Sequence, residues 1–151
     1  MLKAIIIDDE PDCVKLLALQ LKMYCPEIQV VGECTKSIEG LALIKELKPE
    51  IVFLDIEMPT MNGFQLLEEL DKIDFRLIFV TAYDKFAVKA FRFNALDYLL
   101  KPIDGKDLKD AVQKAILQKT DPQQIKSIKQ HYSAGEKYQP DKIALPFQNG
   151  V

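Results

Sequence analysis

The stretch Ile51–Pro59, IVFLDIEMP, carries four apolar residues that run directly into Asp55, with Glu57 and Pro59 close behind. A strand that is apolar throughout is typical of a parallel sheet whose two faces are both covered by helices. A charged residue fits such a strand only where the strand leaves the sheet. Asp55 is therefore expected at the carboxyl end of a buried strand, in a protein of the α/β class.

The rest of the chain repeats this arrangement, because short apolar runs alternate with segments of helical spacing. The five predicted strands are KAIIIDD, QVVGEC, IVFLD, FRLIFVT and DYLL. The five predicted helices are one that starts at Pro11, one capped by Ser37, one capped by Asn62 that carries Phe64, Leu67 and Leu70, one at KFAVKAFRF, and one that carries Leu108, Ala111, Val112 and Ala115. The alternation predicts a doubly wound, five-stranded parallel sheet, for which we adopt the strand order 2-1-3-4-5.

Length and composition fit about one globular domain, with 151 residues of which 48% are apolar and 28% are charged. The net charge of −3 argues against nonspecific nucleic-acid binding by this chain alone. No apolar run has the length of a membrane span or of a signal peptide, and the three cysteines show no CxxC spacing. We therefore expect a cytoplasmic protein with reduced thiols and no membrane contact.

Polar side chains stand where four of the predicted strands end. Asp8 and Asp9 follow strand one, Asp55 follows strand three, Thr81 ends strand four, and Lys101 follows strand five. Ligands of open α/β sheets bind at the carboxyl edge, where the strand order reverses. With the order 2-1-3-4-5, strands one and three are neighbours at that point. The three aspartates are then expected to converge, with Thr81 and Lys101 on one flank.

Three carboxylates in such proximity repel one another and need a cation, and hard oxygen ligands favour Mg²⁺. Asp9 and Asp55 are the expected direct ligands, with Asp8 acting through a water. An aspartate can itself be the nucleophile that accepts a phosphoryl group as an acyl phosphate. Asp55 is the best candidate because it projects from a rigid strand in the middle of the sheet. A neighbouring lysine and threonine hydroxyl suit the phosphoryl oxygens.

The motifs IIIDDEP, IVFLDIEMPTMNG, FVTAYDKFAVKAF and NALDYLLKPI, in this order, resemble the receiver domain of bacterial two-component response regulators. The resemblance implies a flavodoxin-like fold and phosphorylation of Asp55 by a sensor histidine kinase. It assigns Mg²⁺ to Asp8, Asp9, Asp55 and the backbone carbonyl of Glu57. It also implies a signalling phosphoacceptor that promotes its own phosphorylation and dephosphorylation, and not an enzyme.

The resemblance makes Thr81 and Lys101 the residues that sense the phosphoryl group. It makes Tyr98 a switch residue, an aromatic side chain that turns inward when the threonine is drawn toward the phosphoryl group. An ordinary half-buried strand tyrosine is the alternative for Tyr98. Pro59 and Gly63 match the turn that follows the phosphorylated residue.

FNALDYLLKPI and TAYDKFAVKAF resemble most closely the regulators whose output domain is of the LytTR (LytR/AlgR-like) type. Residues 1–120 are predicted to form the receiver domain and residues 121–140 a polar linker. Residues 141–151, DKIALPFQNGV, resemble the first strand of a LytTR DNA-binding domain. Because so few residues cannot form a domain, we expect a truncated start of that domain, and a natural frayed tail is the alternative. DNA binding and transcription control would then depend on the missing part.

Phe86, Phe91 and Phe93 cannot all enter the core from one short helix, so some of them are expected on a surface. The resemblance implies that helix four, strand five and helix five form a face that mediates homodimerisation after phosphorylation. Charges of both signs lie on this face, as a twofold interface requires. They are Lys89, Arg92, Asp97, Asp104, Lys106 and Asp107. An ordinary charged exterior is the alternative.

Two other classes of function stay open on the sequence. A phosphohydrolase with an aspartate nucleophile usually places a second acid two residues later, where Glu57 stands, although no substrate-covering cap is evident. A phosphate-independent interaction module on the same fold is disfavoured by the full set of polar residues at the strand ends. Asp8 and Asp9 alone would also fit charges that a helix dipole favours.

Overall fold

The computed structural model describes residues 1–118, which form one five-stranded parallel sheet of order β2-β1-β3-β4-β5. Its strands are β1 (Leu2–Ile7), β2 (Ile28–Cys34), β3 (Ile51–Leu54), β4 (Arg76–Thr81) and β5 (Asp97–Leu100). The described helices are α1 (Pro11–Tyr24), α2 (Ser37–Leu47), α3 (Gly63–Glu68), α4 (Ala87–Arg92) and α5 (Gly105–Leu117), and a 3₁₀ turn (Asp84–Phe86) precedes α4. The predicted sheet, its strand order and the five helices are confirmed.

Helices cover both faces of the sheet, which explains why the central strands are apolar throughout. All four residues of β3 are buried. Phe53 packs in the cluster that also contains residues of α1 and α5, whereas Val52 and Leu54 pack in the cluster that contains residues of α2, α3 and α4. Successive residues of one strand therefore serve opposite cores, as the alternation of side chains along a strand requires.

The predicted starts of α1 and α3 agree with the structure, whereas α4 starts at Ala87 and not at Lys85, and the predicted cap of α2 differs. Pro11 begins α1, and Asn62 caps α3 by accepting a hydrogen bond from the backbone N–H of Gln65 at 2.9 Å. The prediction that Ser37 caps α2 is wrong, because Lys36 is the capping residue and Ser37 lies in the first turn. The Ser37 hydroxyl donates to the backbone carbonyl of Met61 instead. This bond ties the start of α2 to the loop between β3 and α3.

Further predictions from the sequence concern the C-terminal residues, the cysteines and contact with a membrane. The predicted linker (residues 121–140) and the predicted start of a DNA-binding domain (residues 141–151) lie outside the described residues. Cys13, Cys25 and Cys34 are free thiols, as predicted. Within residues 1–118, no helix combines the length and the apolar character needed to cross a membrane.

Candidate functional site

Four strands bring polar residues to one edge of the sheet. Asp8 and Asp9 follow β1, Asp55 follows β3, Thr81 is the last residue of β4, and Lys101 follows β5. The last residues of β1 and β3 are paired with each other, and so are the last residues of β4 and β5. Strands β1 and β3 therefore end at the same level, and so do β4 and β5. The residues predicted to converge do lie at a common edge of the sheet.

The three aspartates form a compact set of oxygen donors. One carboxylate oxygen from each of Asp8, Asp9 and Asp55 lies within 4.8 Å of the other two. Burial, followed by the charge of Asp8, raises the pKa of Asp55 to about 6, although Lys101 and the Ile56 amide oppose the shift. Burial and the charge of Asp8 also raise the pKa of Asp9. A divalent cation stabilises carboxylates that burial and mutual repulsion destabilise, so this donor set fits Mg²⁺.

Lys101 is the counter-ion of this set. Its Nζ lies 2.7 Å from Asp8 Oδ2, 3.3 Å from Asp55 Oδ2 and 3.4 Å from Glu10 Oε1. Burial lowers the pKa of Lys101, but the hydrogen bond to Asp8 and the charge of Asp55 outweigh it and hold the pKa above its usual value. One protonated lysine thus faces several carboxylates, and the site has an excess of negative charge.

The backbone fixes the position of Asp55. Its amide N donates to the carbonyl of Ile7 at 2.9 Å, so strand pairing continues to this residue. Its Oδ1 accepts from the backbone N–H of Ile56 at 2.7 Å, which leaves Oδ2 toward Lys101. A Cβ atom at Gly63 would lie only 2.5 Å from the Asp55 carbonyl oxygen, so a glycine is required where α3 begins.

The two predicted switch residues meet at one loop residue, Tyr83. Thr81 is fully buried, and its Oγ1 accepts from the backbone N–H of Tyr83 at 3.4 Å. Tyr98 is half-buried on β5, its ring centroid is 6.4 Å from that of Phe79, and its hydroxyl donates to the carbonyl of Tyr83. Burial raises the pKa of Tyr98 to about 12, so this hydroxyl stays protonated and able to donate.

Two acidic residues, Glu10 and Glu57, lie close in sequence to the aspartates of the site. Glu57 is exposed in the loop after β3, and the assignment of its backbone carbonyl as a metal ligand stays a prediction. Sequence reasoning misses Glu10, which contacts Lys101 across 91 positions of sequence. The sequence does show an acidic residue directly after Asp8 and Asp9, but its partner Lys101, which follows β5, is determined only by the fold.

A family model for the response regulator receiver domain matches residues 4–113. This chain belongs to the response regulator receiver domain family. Members of that family are signalling domains of two-component systems and not enzymes in the ordinary sense. The predicted family is confirmed, whereas the finer LytTR assignment stays a prediction.

The receiver domain has many relatives of greater length. It is 46% identical over 119 residues to an uncharacterized response regulatory protein of Vibrio cholerae, covering 78% of this chain and 50% of the relative. It is 42% identical over 109 residues to the transcriptional regulatory protein BtsR of Escherichia coli, covering 69% of this chain and 44% of that protein. The chain therefore spans about half the length of the relatives it matches.

Solved structures confirm the predicted flavodoxin-like receiver fold. The response regulatory domain of protein mrkE from Klebsiella pneumoniae superposes with a TM-score of 0.69 at 27% identity, covering 76% of this chain and 95% of that one. A response regulator receiver domain protein from Clostridium thermocellum superposes with a TM-score of 0.70 at 29% identity, covering 79% and 97%.

The receiver domain exposes apolar side chains around α4 and β5. Phe86 and Phe93 pack on Phe64, with ring centroids 6.0 Å and 5.2 Å away, whereas Phe91 is 47% exposed. The prediction that some of these rings lie on a surface is confirmed. We call the exposed apolar residues of this region the α4–β5 patch; they are Tyr83, Val88, Phe91 and Leu100.

Two of the charges predicted to lie on a dimer face have partners within the chain. Lys114 Nζ lies 3.1 Å from Asp97 Oδ2, and Lys106 Nζ lies 3.3 Å from Asp110 Oδ2. Any pairing of Asp97 or Lys106 with a second molecule would have to compete with these contacts.

Proposed function

We propose that this chain is the phosphoacceptor part of a response regulator, and that Asp55 receives a phosphoryl group from a sensor histidine kinase. The observation that carries the proposal is the convergence of three carboxylates, a buried threonine and a protonated lysine at one edge of the sheet. A structural role alone does not account for this cluster, because unneutralised carboxylates at a buried edge destabilise the fold.

Asp8, Asp9 and Asp55, with the backbone carbonyl of Glu57, would hold Mg²⁺. When bound, the ion supplies positive charge that neutralises the carboxylates and the phosphoryl oxygens. A carboxylate oxygen of Asp55 forms a bond to phosphorus, and the bond from phosphorus to the phosphohistidine nitrogen of the kinase breaks. The electron pair of that bond leaves with the nitrogen. Lys101, 3.3 Å from Asp55, pairs with a phosphoryl oxygen, and the Thr81 hydroxyl donates to another.

Thr81 links this chemistry to the α4–β5 patch. In the structure its Oγ1 accepts from Tyr83, whose carbonyl in turn accepts the Tyr98 hydroxyl. When the Thr81 hydroxyl turns to the phosphoryl group, the contact with the Tyr83 amide is lost and the loop can move. Phosphorylation then favours one of two pre-existing states, and a preference of about 3–5 kcal/mol moves most molecules into it.

The proposed role in transcription control is based on the α4–β5 patch and on the longer relatives of the chain. A homodimer through α4, β5 and α5 would cover Tyr83, Val88, Phe91 and Leu100. We propose that this dimer brings together two DNA-binding domains of LytTR type beyond the receiver domain, in a cytoplasmic transcription regulator. The name of BtsR, a transcriptional regulatory protein, supports this assignment.

The test is incubation with acetyl phosphate in the presence and absence of Mg²⁺, followed by intact-mass measurement of wild type and Asp55→Asn. We expect the mass of one phosphoryl group on the wild type only, and only with Mg²⁺. Equal labelling of both proteins would refute the role of Asp55. Steady turnover of a phosphomonoester would support a phosphohydrolase instead, and failure to label at all would support a phosphate-independent module.

A further inference from the structure

Glu10, the capping residue of α1, is the exposed partner of Lys101. The side chains of Asp8 and Asp55 are 6% and 5% exposed, whereas that of Glu10 is 63% exposed. The ammonium of Lys101 therefore has two partners inside the site and one at its solvent edge, 3.4 Å away. A phosphodonor has to reach Asp55 from solvent, so it meets the Glu10 charge on the outer side of the site.

Several contacts hold Glu10 in this place. Its backbone N–H donates to Asp8 Oδ1 at 3.0 Å, and its carbonyl accepts from the backbone N–H groups of Cys13 and Val14 in the first turn of α1. Its Oε1, the same atom that contacts Lys101, accepts from Cys13 Sγ at 3.1 Å. Although exposed, the Glu10 carboxylate is therefore fixed from two sides.

We propose that Glu10 is a positioning residue that competes with the incoming phosphoryl group for Lys101, and that it thereby sets the phosphodonor concentration at which Asp55 is labelled. The inference rests on the function proposed above. An anionic phosphodonor can pair with Lys101 only after the Glu10 contact opens, and the Glu10 charge repels the donor during its approach. Once Glu10 has been displaced it contacts no reacting atom, so it has little influence on the transfer step itself.

The expected size follows from the charges. The electrostatic interaction between two unit charges roughly 5 Å apart in water-like surroundings changes a binding constant by about fourfold. Glu10→Gln should therefore lower the half-saturating concentration of acetyl phosphate by about three- to tenfold, because the competing charge is gone. The maximal labelling rate should change by less than about twofold, since the transfer step is untouched. Because Glu10 is exposed, the difference should shrink at high salt.

Glu46→Gln is the matched control. Glu46 is also exposed, but it lies near the end of α2, and α2 runs from the carboxyl edge of the sheet toward the opposite edge. The same loss of charge there should leave the half-saturating concentration unchanged. A half-saturating concentration that is unchanged or higher in Glu10→Gln would overturn the inference, and so would an equal decrease in Glu46→Gln.

Cys13 gives a second test that leaves every charge in place. Cys13→Ala removes the donor that fixes Glu10 and should reproduce part of the decrease, whereas Cys13→Ser keeps a donor and should restore the wild-type value. A purely structural role of Cys13 would shift the urea midpoint and not the half-saturating concentration, so both are measured. Equal values for the Ala and Ser variants would contradict the role of this hydrogen bond in holding Glu10.

Different results would refute the proposed function and the proposed role of Glu10. If wild type gains no phosphoryl group from acetyl phosphate and Mg²⁺, both the proposed function and the role of Glu10 are wrong. If wild type is labelled, Asp55→Asn is not, and Glu10→Gln has the wild-type half-saturating concentration, only the role of Glu10 is wrong.

Discussion

The centre of the sheet and the α4–β5 side differ in how completely their residues are buried. In β3 every residue is buried, and Asp55 follows it within continuous strand pairing. In α4 only Ala90 of six residues is buried, and Val88 is 66% exposed. The helix lies between a 3₁₀ turn and Asn94, which has the left-handed φ of 66°. One region holds its groups in fixed positions, and the other is weakly packed.

This difference suits a protein that couples chemistry to a response. The proposed phosphoryl transfer needs groups that stay in place, which the strand ends provide for Asp55, Thr81 and Lys101. A response needs an element whose rearrangement costs little free energy, and elements with few buried contacts open most easily. The short α4 meets that condition, so the structure separates the rigid site from the adaptable surface.

The largest expected contrast is between two phenylalanines. Phe53→Ala, at a fully buried position of β3, should lower the free energy of unfolding by about 3–5 kcal/mol, because it leaves a cavity in the core. Phe91→Ala, on exposed α4, should change it by less than about 0.5 kcal/mol. Urea denaturation of both variants checks the contrast. Similar losses in the two variants would mean that α4 is as firmly packed as the sheet.

A smaller contrast in the free energy of unfolding is expected between alanine variants of two lysines. Lys101→Ala leaves Asp8 and Asp55 buried without their cation and should lower the free energy of unfolding by about 3 kcal/mol at pH 7 without metal. Lys114→Ala breaks a pair whose lysine side chain is 55% exposed, and should cost less than about 1 kcal/mol. Urea unfolding at low salt measures both. A loss at Lys114 as large as that at Lys101 would show that the buried position of Lys101 is not what matters.

The smallest expected effect is the pH dependence that Asp55 contributes. The folded protein binds a proton at Asp55 more tightly than the unfolded chain, because the pKa is raised from 3.8 to about 6. Without metal, the stability of wild type should therefore fall as the pH rises from about 4 to about 6 and then level off. Asp55→Asn lacks this fall and should therefore be more stable than wild type at pH 7.

Thermal or urea unfolding across this pH range, with and without Mg²⁺, checks the pH prediction. Added Mg²⁺ should raise the stability of wild type more than that of Asp55→Asn, because binding to ionised carboxylates stabilises the folded state. Parallel pH curves for the two proteins, or equal responses to Mg²⁺, would contradict an Asp55 that is destabilised by burial and by Asp8.

The sequence alone allowed the strand ends to be predicted, because a charge after an apolar run has one favourable place in a parallel sheet. That rule located Asp8, Asp55 and Lys101 correctly. Local contacts were harder. Ser37 satisfies its hydroxyl on the loop after β3, and nothing near it in sequence shows that partner.

The end of α3 shows the same limit. The apolar spacing predicted a helix that includes Leu70, but α3 ends at Glu68. The amide of Leu70 donates to the Leu67 carbonyl, so the chain tightens into a three-residue turn beyond the helix. Leu70 still packs against the core, which explains why its spacing resembled that of a longer helix.

The contact of Gly63 with the Asp55 carbonyl provides a reference frame for measurement. Since the first turn of α3 lies against the peptide group of Asp55, α3 and the end of β3 should behave as one body. A probe on exposed Gln65 would then report almost no displacement of its own. Distances from this probe to a second probe at Val88 would report the motion of α4 directly, without a correction for movement of the reference probe.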